Sequence, residues 1–116
     1  MDGGFAFDFE QAVRDALDAL PAELRQAMSN VDIVVDDQAP PDSRILGLYQ
    51  GIPLTRRTSS YGAVLPDKIT IYRRPIERVA GTDPARLSAE IRHVVLHEIA
   101  HHFGISDERL VELDRY

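Results

Sequence analysis

The 116-residue chain contains no cysteine, which excludes both disulfide cross-links and thiolate metal ligands. It has no stretch approaching ~18 consecutive apolar residues, so no segment is expected to span a bilayer. The opening residues, MDGGFAFDFEQ, are acidic and carry no basic region ahead of an apolar run. No secretory leader is therefore expected, and a cytoplasmic location follows. Basic residues are in the minority: 13 Lys and Arg stand against 19 Asp and Glu, giving a net charge of −6. That balance opposes binding to a phosphate backbone, and no nucleic-acid partner is expected. The basic residues that do cluster, Arg56 with Arg57 and Arg73 with Arg74, read as solvated faces. No repeat, low-complexity tract or linker interrupts the chain, and a single domain over 1–116 is expected.

What the chain does have is histidine, gathered around His97 to Asp107, H-E-I-A-H-H-F-G-I-S-D. Residues four apart on a helix differ by only ~40° around the axis and ~6 Å along it, so His97 and His101 present their imidazoles side by side. Glu98 lies ~100° round from His97, near enough to lean over a metal-bound water as a general base without becoming a ligand. Gly104 can end the helix in a left-handed conformation and let the chain double back, bringing Asp107 in as a third, oxygen ligand. With 4 His in the composition, shuffling would produce H-E-x-x-H somewhere in the chain with a probability of only roughly 0.6%.

Competing readings of the neighbouring residues are plain. Asp107 also suits the first turn of a closing helix capped by Ser106, with Glu108 as the backup ligand. His93 is one further four-residue step back, but ~12 Å of helix rise separates it from His101, beyond the reach of Zn–N bonds of ~2.0–2.1 Å. It reads as a cleft residue. His102 sits on the flank of the apolar arc and reads as a satisfied, partly buried histidine.

Two imidazoles and one carboxylate with a position left open is the composition of catalytic zinc. The same set describes the iron triad of oxygenases, from which Glu98 separates it, since an acid beside the metal serves water activation. A donor for the tetrahedral oxyanion is also required, and Tyr49, Tyr61, Tyr72 and Tyr116 are the candidates.

The rest of the chain reads as α+β. Asp8 caps a helix through Leu20, and Pro21 opens a short second helix at its first position. Val31 to Asp37 is a buried strand, 38–44 a loop, and Ile45 to Gln50 a strand with Gly51 at a bend. Pro53 belongs at a sheet edge or outside the sheet, and 55–65 forms a loop. Lys68 to Arg74 alternates as a half-buried strand stopped by Pro75, and Ile76 to Ala80 forms a helical turn before Gly81. Asp83 and Pro84 start the helix that carries the histidines, whose apolar arc is expected at Ile91, Val95, Leu96, Ile99 and Phe103, opposite His97 and His101. Ser106 to Tyr116 forms a closing helix.

These stretches also carry a resemblance. LGLYQGIPL (46–54), LPDKITIYRRPIE (65–77) and LHEIAHHFGISDERL (96–110) resemble the compact bacterial zincin-like metallopeptidase domains, from about Phe9 to Leu113. H-E-x-x-H-x-x-G-x-x-D is similar to the metzincin motif with aspartate in place of the third histidine. No methionine follows it to form a Met-turn, since Met1 and Met28 are both upstream. The resemblance implies a minimal zincin-like fold: a small mixed sheet of 3–4 strands packed on an active-site helix, an N-terminal helix and a short C-terminal helix. It implies Zn2+ held by His97, His101 and Asp107, Glu98 as catalytic base, and a peptide or protein substrate. It also makes the 47–54 edge, with Tyr49 and Gly51, the surface on which an extended peptide adds as a strand. The alternatives are a latent or non-catalytic metal-binding domain and a metal-dependent ribonuclease like the rRNA-maturation metalloenzymes, whose helix carries H-x-x-x-H-x-x-G-x-x-H. The acidic balance and Glu98 count against the ribonuclease.

Overall fold

A computed structural model of the chain describes residues 7–28, 30–51 and 67–104. The expected 55–65 loop, Pro53, Tyr61, Asp107, Glu108 and the closing helix with Tyr116 lie outside the described residues. Two helices open the chain, α1 (Phe9–Asp18) and α2 (Ala22–Ala27). Among the described residues three strands follow, β1 (Val31–Asp36), β2 (Gly47–Gln50) and β3 (Asp67–Tyr72), and then α3 (Arg73–Ala80) and α4 (Pro84–His102). The class is α+β, as the sequence implied.

The described strands form one sheet in the order β1-β3-β2. β1 runs parallel to β3 with Val31 opposite Asp67, whereas β2 runs antiparallel with Gly47 opposite Ile71. The alternation in 68–74 predicts a half-buried strand, but in β3 only Lys68 is exposed. Thr70 and Tyr72 are buried along with Ile69 and Ile71, because β3 is the central strand, paired along both edges.

Local signals set most of the boundaries. Asp8 caps α1 by accepting from the Gln11 N–H at 3.0 Å, which satisfies one of the free donors of the first turn. Pro21 is the N-cap of α2 rather than its first residue, with an extended ψ of 147°. Pro75 does not delay α3, which begins two residues before it. In a helix's first turn the N–H that proline lacks has no intrahelical partner, so nothing is lost. Arg73 then ties the start of α3 to the end of β1: its guanidinium donates to Asp37 at 2.8 Å and to Glu77 at 3.0 Å. That charge holds the Asp37 carboxyl below its usual range, first through the hydrogen bond and then through Coulomb attraction. One member of the second Arg pair is thus a structural ion pair, as a solvated face allows.

The core joins Phe9, Val13 and Ala16 of α1 to Ile69 and Ile71 of β3, Ile76 of α3, and Leu87, Ile91, Val95 and Ile99 of α4. The apolar arc of α4 is turned away from its expected position. Val94, Glu98 and His102 are buried, whereas Leu96 is 48% exposed. On a wheel with His97 at zero, the buried residues span roughly 60° to 200°. His97 and His101 therefore stand at the border between core and solvent rather than opposite the core. Two polar residues, Glu98 and His102, are thereby turned toward the sheet, where His102 meets the Asp67 carboxyl and Glu98 lies against the strand at Gly47.

Candidate metal centre

Everything at the site is positioned by α4. Asp83 caps it by accepting from the Arg86 N–H at 3.0 Å, and Pro84 supplies the preset φ of a first helical residue. Nineteen residues of helix then carry the histidine pair to the far end. The rings of His97 and His101 lie 4.9 Å apart, with their planes at 80°. One donor atom each from His97, Glu98 and His101 fall within 4.8 Å of one another. Two imidazoles and a carboxylate converging this closely fit a divalent ion of the zinc type. Both histidines are half-buried and Glu98 is 7% exposed, so the carboxylate is held by packing while the imidazoles keep an open side.

The wall beside Glu98 is β2, an edge strand among the described residues. Gly47 faces α4 so closely that a Cβ there would stand 2.8 Å from Val94 Cγ1 and 3.1 Å from Glu98 Cγ. Only a residue without a side chain allows the strand backbone to approach the helix at this point. Gly47→Ala should therefore destabilise the fold by about 1–3 kcal/mol, the usual effect of overpacking a filled core. Urea unfolding measures it, and a variant as stable as the parent would show that α4 shifts freely against β2. Between this strand and the helix opens a cleft of about 300 Å³ lined by Ile45, Leu46, Gly47, Glu90, His93, Val94, His97 and Glu98.

At the other end of the site a polar cluster is enclosed by the sheet. Asp67 Oδ2 accepts from the Tyr49 hydroxyl at 2.6 Å and lies 2.8 Å from His102 Nδ1. The Tyr49 ring meets His102 edge to face at 5.8 Å, and the Phe103 ring also lies edge to face with His102, at 5.3 Å. His102 is more buried than expected, at 2% exposure, and only half satisfied: Nδ1 meets Asp67, while the buried Nε2 has no hydrogen-bond partner among the described residues. It fastens the end of α4, one residue past His101, to the first residue of the central strand. A side chain at Gly51 would overlap the Asp67 carboxylate, and Gly51 has φ +154°, a conformation that favours glycine.

The structure therefore brings His97, Glu98 and His101 together. Tyr49 and Gly51 stand with Asp67 and His102, and the cleft beside the metal residues is lined by Ile45 to Gly47 among the described residues. His93 lines that cleft and is outside the His97–Glu98–His101 group. Of the candidate oxyanion donors, Tyr49 donates its hydroxyl hydrogen bond to Asp67. Burial, followed by the charges of Asp36 and Glu98, raises the Tyr72 phenol above its ordinary value and keeps it protonated. Gly47 and Asp67 were not nominated by the sequence. Gly47 had a signal, since an isolated glycine within a strand marks a close backbone approach; Asp67 had none.

A family model described as zincin-like metallopeptidase matches residues 28–116. Among solved structures, a conserved hypothetical protein from Thermo thermophilus is similar, with 25% identity and a TM-score of 0.55, over 91% of this chain and 96% of that one. No curated protein matches the sequence.

Proposed function

Because the chain belongs to the zincin-like metallopeptidase family, we propose that it is a zinc-dependent peptidase in which Glu98 acts as general base and His97, His101 and Asp107 hold the ion. The convergence of the His97, Glu98 and His101 donor atoms within 4.8 Å at the foot of a cleft carries this reading. Asp107 enters on its place in the motif. Bound there, zinc supplies Lewis-acid polarisation of a scissile carbonyl and acidifies water toward neutral pH. Glu98 takes the proton of the attacking water and returns it to the departing amine, so one carboxylate serves as base and then as acid. Its burial between β2 and α4 keeps that carboxylate in place and limits the bulk water that competes for its proton. β2 is one of the two outer strands of the described sheet and the one beside α4's Glu98, and its backbone offers an extended substrate a strand to pair with.

The experiment is metal content, by elemental mass spectrometry on protein purified without an affinity tag, after zinc is offered and the excess dialysed away. About one zinc per chain is expected. His97→Ala and His101→Ala should each weaken zinc binding by more than the ~10–100-fold that loss of an outer hydrogen bond causes. Unchanged zinc binding in either variant would overturn the ligand assignment. Stoichiometric zinc without turnover on any member of a peptide library would instead identify a metal-binding domain.

A further inference from the structure

The cleft beside Glu98 has a composition of its own. Its walls are apolar at Ile45, Leu46 and Val94, while charge is carried by Glu90 and Glu98 and by no lysine or arginine among the described lining residues. Glu90 lies seven residues before His97 and therefore on nearly the same face of α4, two turns and ~10 Å of rise away. Its side chain is 23% exposed, so it stands inside the mouth rather than on open surface. Two ionisable residues stand near it on the helix: Arg86, one turn back, which borders a neighbouring hollow together with Glu90 and His93, and His93, whose Nδ1 is 3.9 Å from Glu90 Oε2 on a side chain 55% exposed. At that distance the pair is a loose contact rather than a hydrogen bond, and a stronger cation can take its place.

An apolar channel ending in a partly buried carboxylate matches one kind of side chain: a three- or four-carbon stem carrying a positive head. We propose that this cleft is a specificity pocket for a lysine or arginine residue of the peptide substrate, with the stem against Ile45, Leu46 and Val94 and the cationic head at Glu90. The inference rests on the peptidase reading above. A substrate residue flanking the bond held at His97 and Glu98 projects its side chain back along α4, and the combined reach of that side chain and of Glu90 spans the two turns. The net charge of −6 favours the approach of cationic segments as well.

The test uses three fluorescent, end-blocked, alanine-based peptides that differ at one central residue: lysine, norleucine or glutamate. Their binding is measured by anisotropy on the full chain and on Glu90→Gln and Glu90→Lys, both compatible with a helical position. The lysine peptide should bind about tenfold more tightly than norleucine, with glutamate weakest. Glu90→Gln should erase the difference between lysine and norleucine, and Glu90→Lys should move the preference to glutamate. Equal binding of the three peptides, a lysine preference that survives Glu90→Gln, or no binding of any would overturn the pocket. Hydrolysis of the same peptides is read separately. Cleavage without side-chain preference overturns the pocket and leaves the peptidase standing, whereas Glu90-dependent lysine binding without cleavage of any peptide does the reverse.

Discussion

Glu98→Gln should lower peptide hydrolysis by about 10²–10⁴-fold, the range that general acid–base groups contribute, while zinc stoichiometry stays at the parent value. The substitution keeps the shape of a side chain that is 7% exposed and pressed against the edge strand, so packing is preserved and the proton chemistry is removed. Glutamine cannot accept the proton of the attacking water, nor deliver one to the leaving amine. Glu98→Ala should be equally inactive but also less stable, because it opens space between Val94 and Gly47. Comparing the two separates catalysis from packing. Full activity in Glu98→Gln would refute the assignment of the base, and loss of zinc together with activity would mean that Glu98 acts as a ligand, which its place within 4.8 Å of both imidazole donors makes a real distinction to test.

How far the site was legible in the sequence depends on the reach of each signal. His97, Glu98 and His101 are fixed by helical periodicity within one element, and their convergence follows from spacing alone. The Asp83 and Pro84 start and the Asp8 cap are equally local. The facing of α4 was not. Placing Leu96 in the apolar arc treated hydrophobicity as the only force that turns a helix toward the core, whereas His102 turns inward to the Asp67 carboxyl and Glu98 packs against the strand at Gly47. Those partners, Gly47 for Glu98 and Asp67 for His102, lie far away in sequence, and no periodicity reports a pairing of that range. For the same reason the sequence marks 47–54 as an edge but does not single out Gly47 as the residue that meets α4. Which residue of β2 meets which turn of α4 is decided by register against β3.

Asp67→Ala should destabilise the protein by about 2–5 kcal/mol, since two donors lose their acceptor at about 1–3 kcal/mol each. The carboxylate is fully buried and takes both the Tyr49 hydroxyl and His102 Nδ1 on one oxygen. Its removal leaves the fully buried His102 Nδ1 and the part-buried Tyr49 hydroxyl without that acceptor. For a chain of this size each kcal/mol corresponds to several degrees, so the midpoint of thermal unfolding should fall by more than about 10 °C. Tyr49→Phe removes one donor and leaves the Asp67–His102 contact, so it should lose only about 1–2 kcal/mol. Circular dichroism during urea and thermal unfolding measures the series, and Asp67→Ala within about 1 kcal/mol of the parent would refute the anchoring role. Because His102 is fastened by Asp67 and His101 is the next residue back, the damage should extend to the metal: zinc should bind more weakly to folded Asp67→Ala protein by about 10–100-fold, as when an outer partner that orients a ligand is lost. Weakened binding in Tyr49→Phe of much smaller size would show that the carboxylate, rather than the cluster's packing, holds the end of α4 where the imidazoles converge.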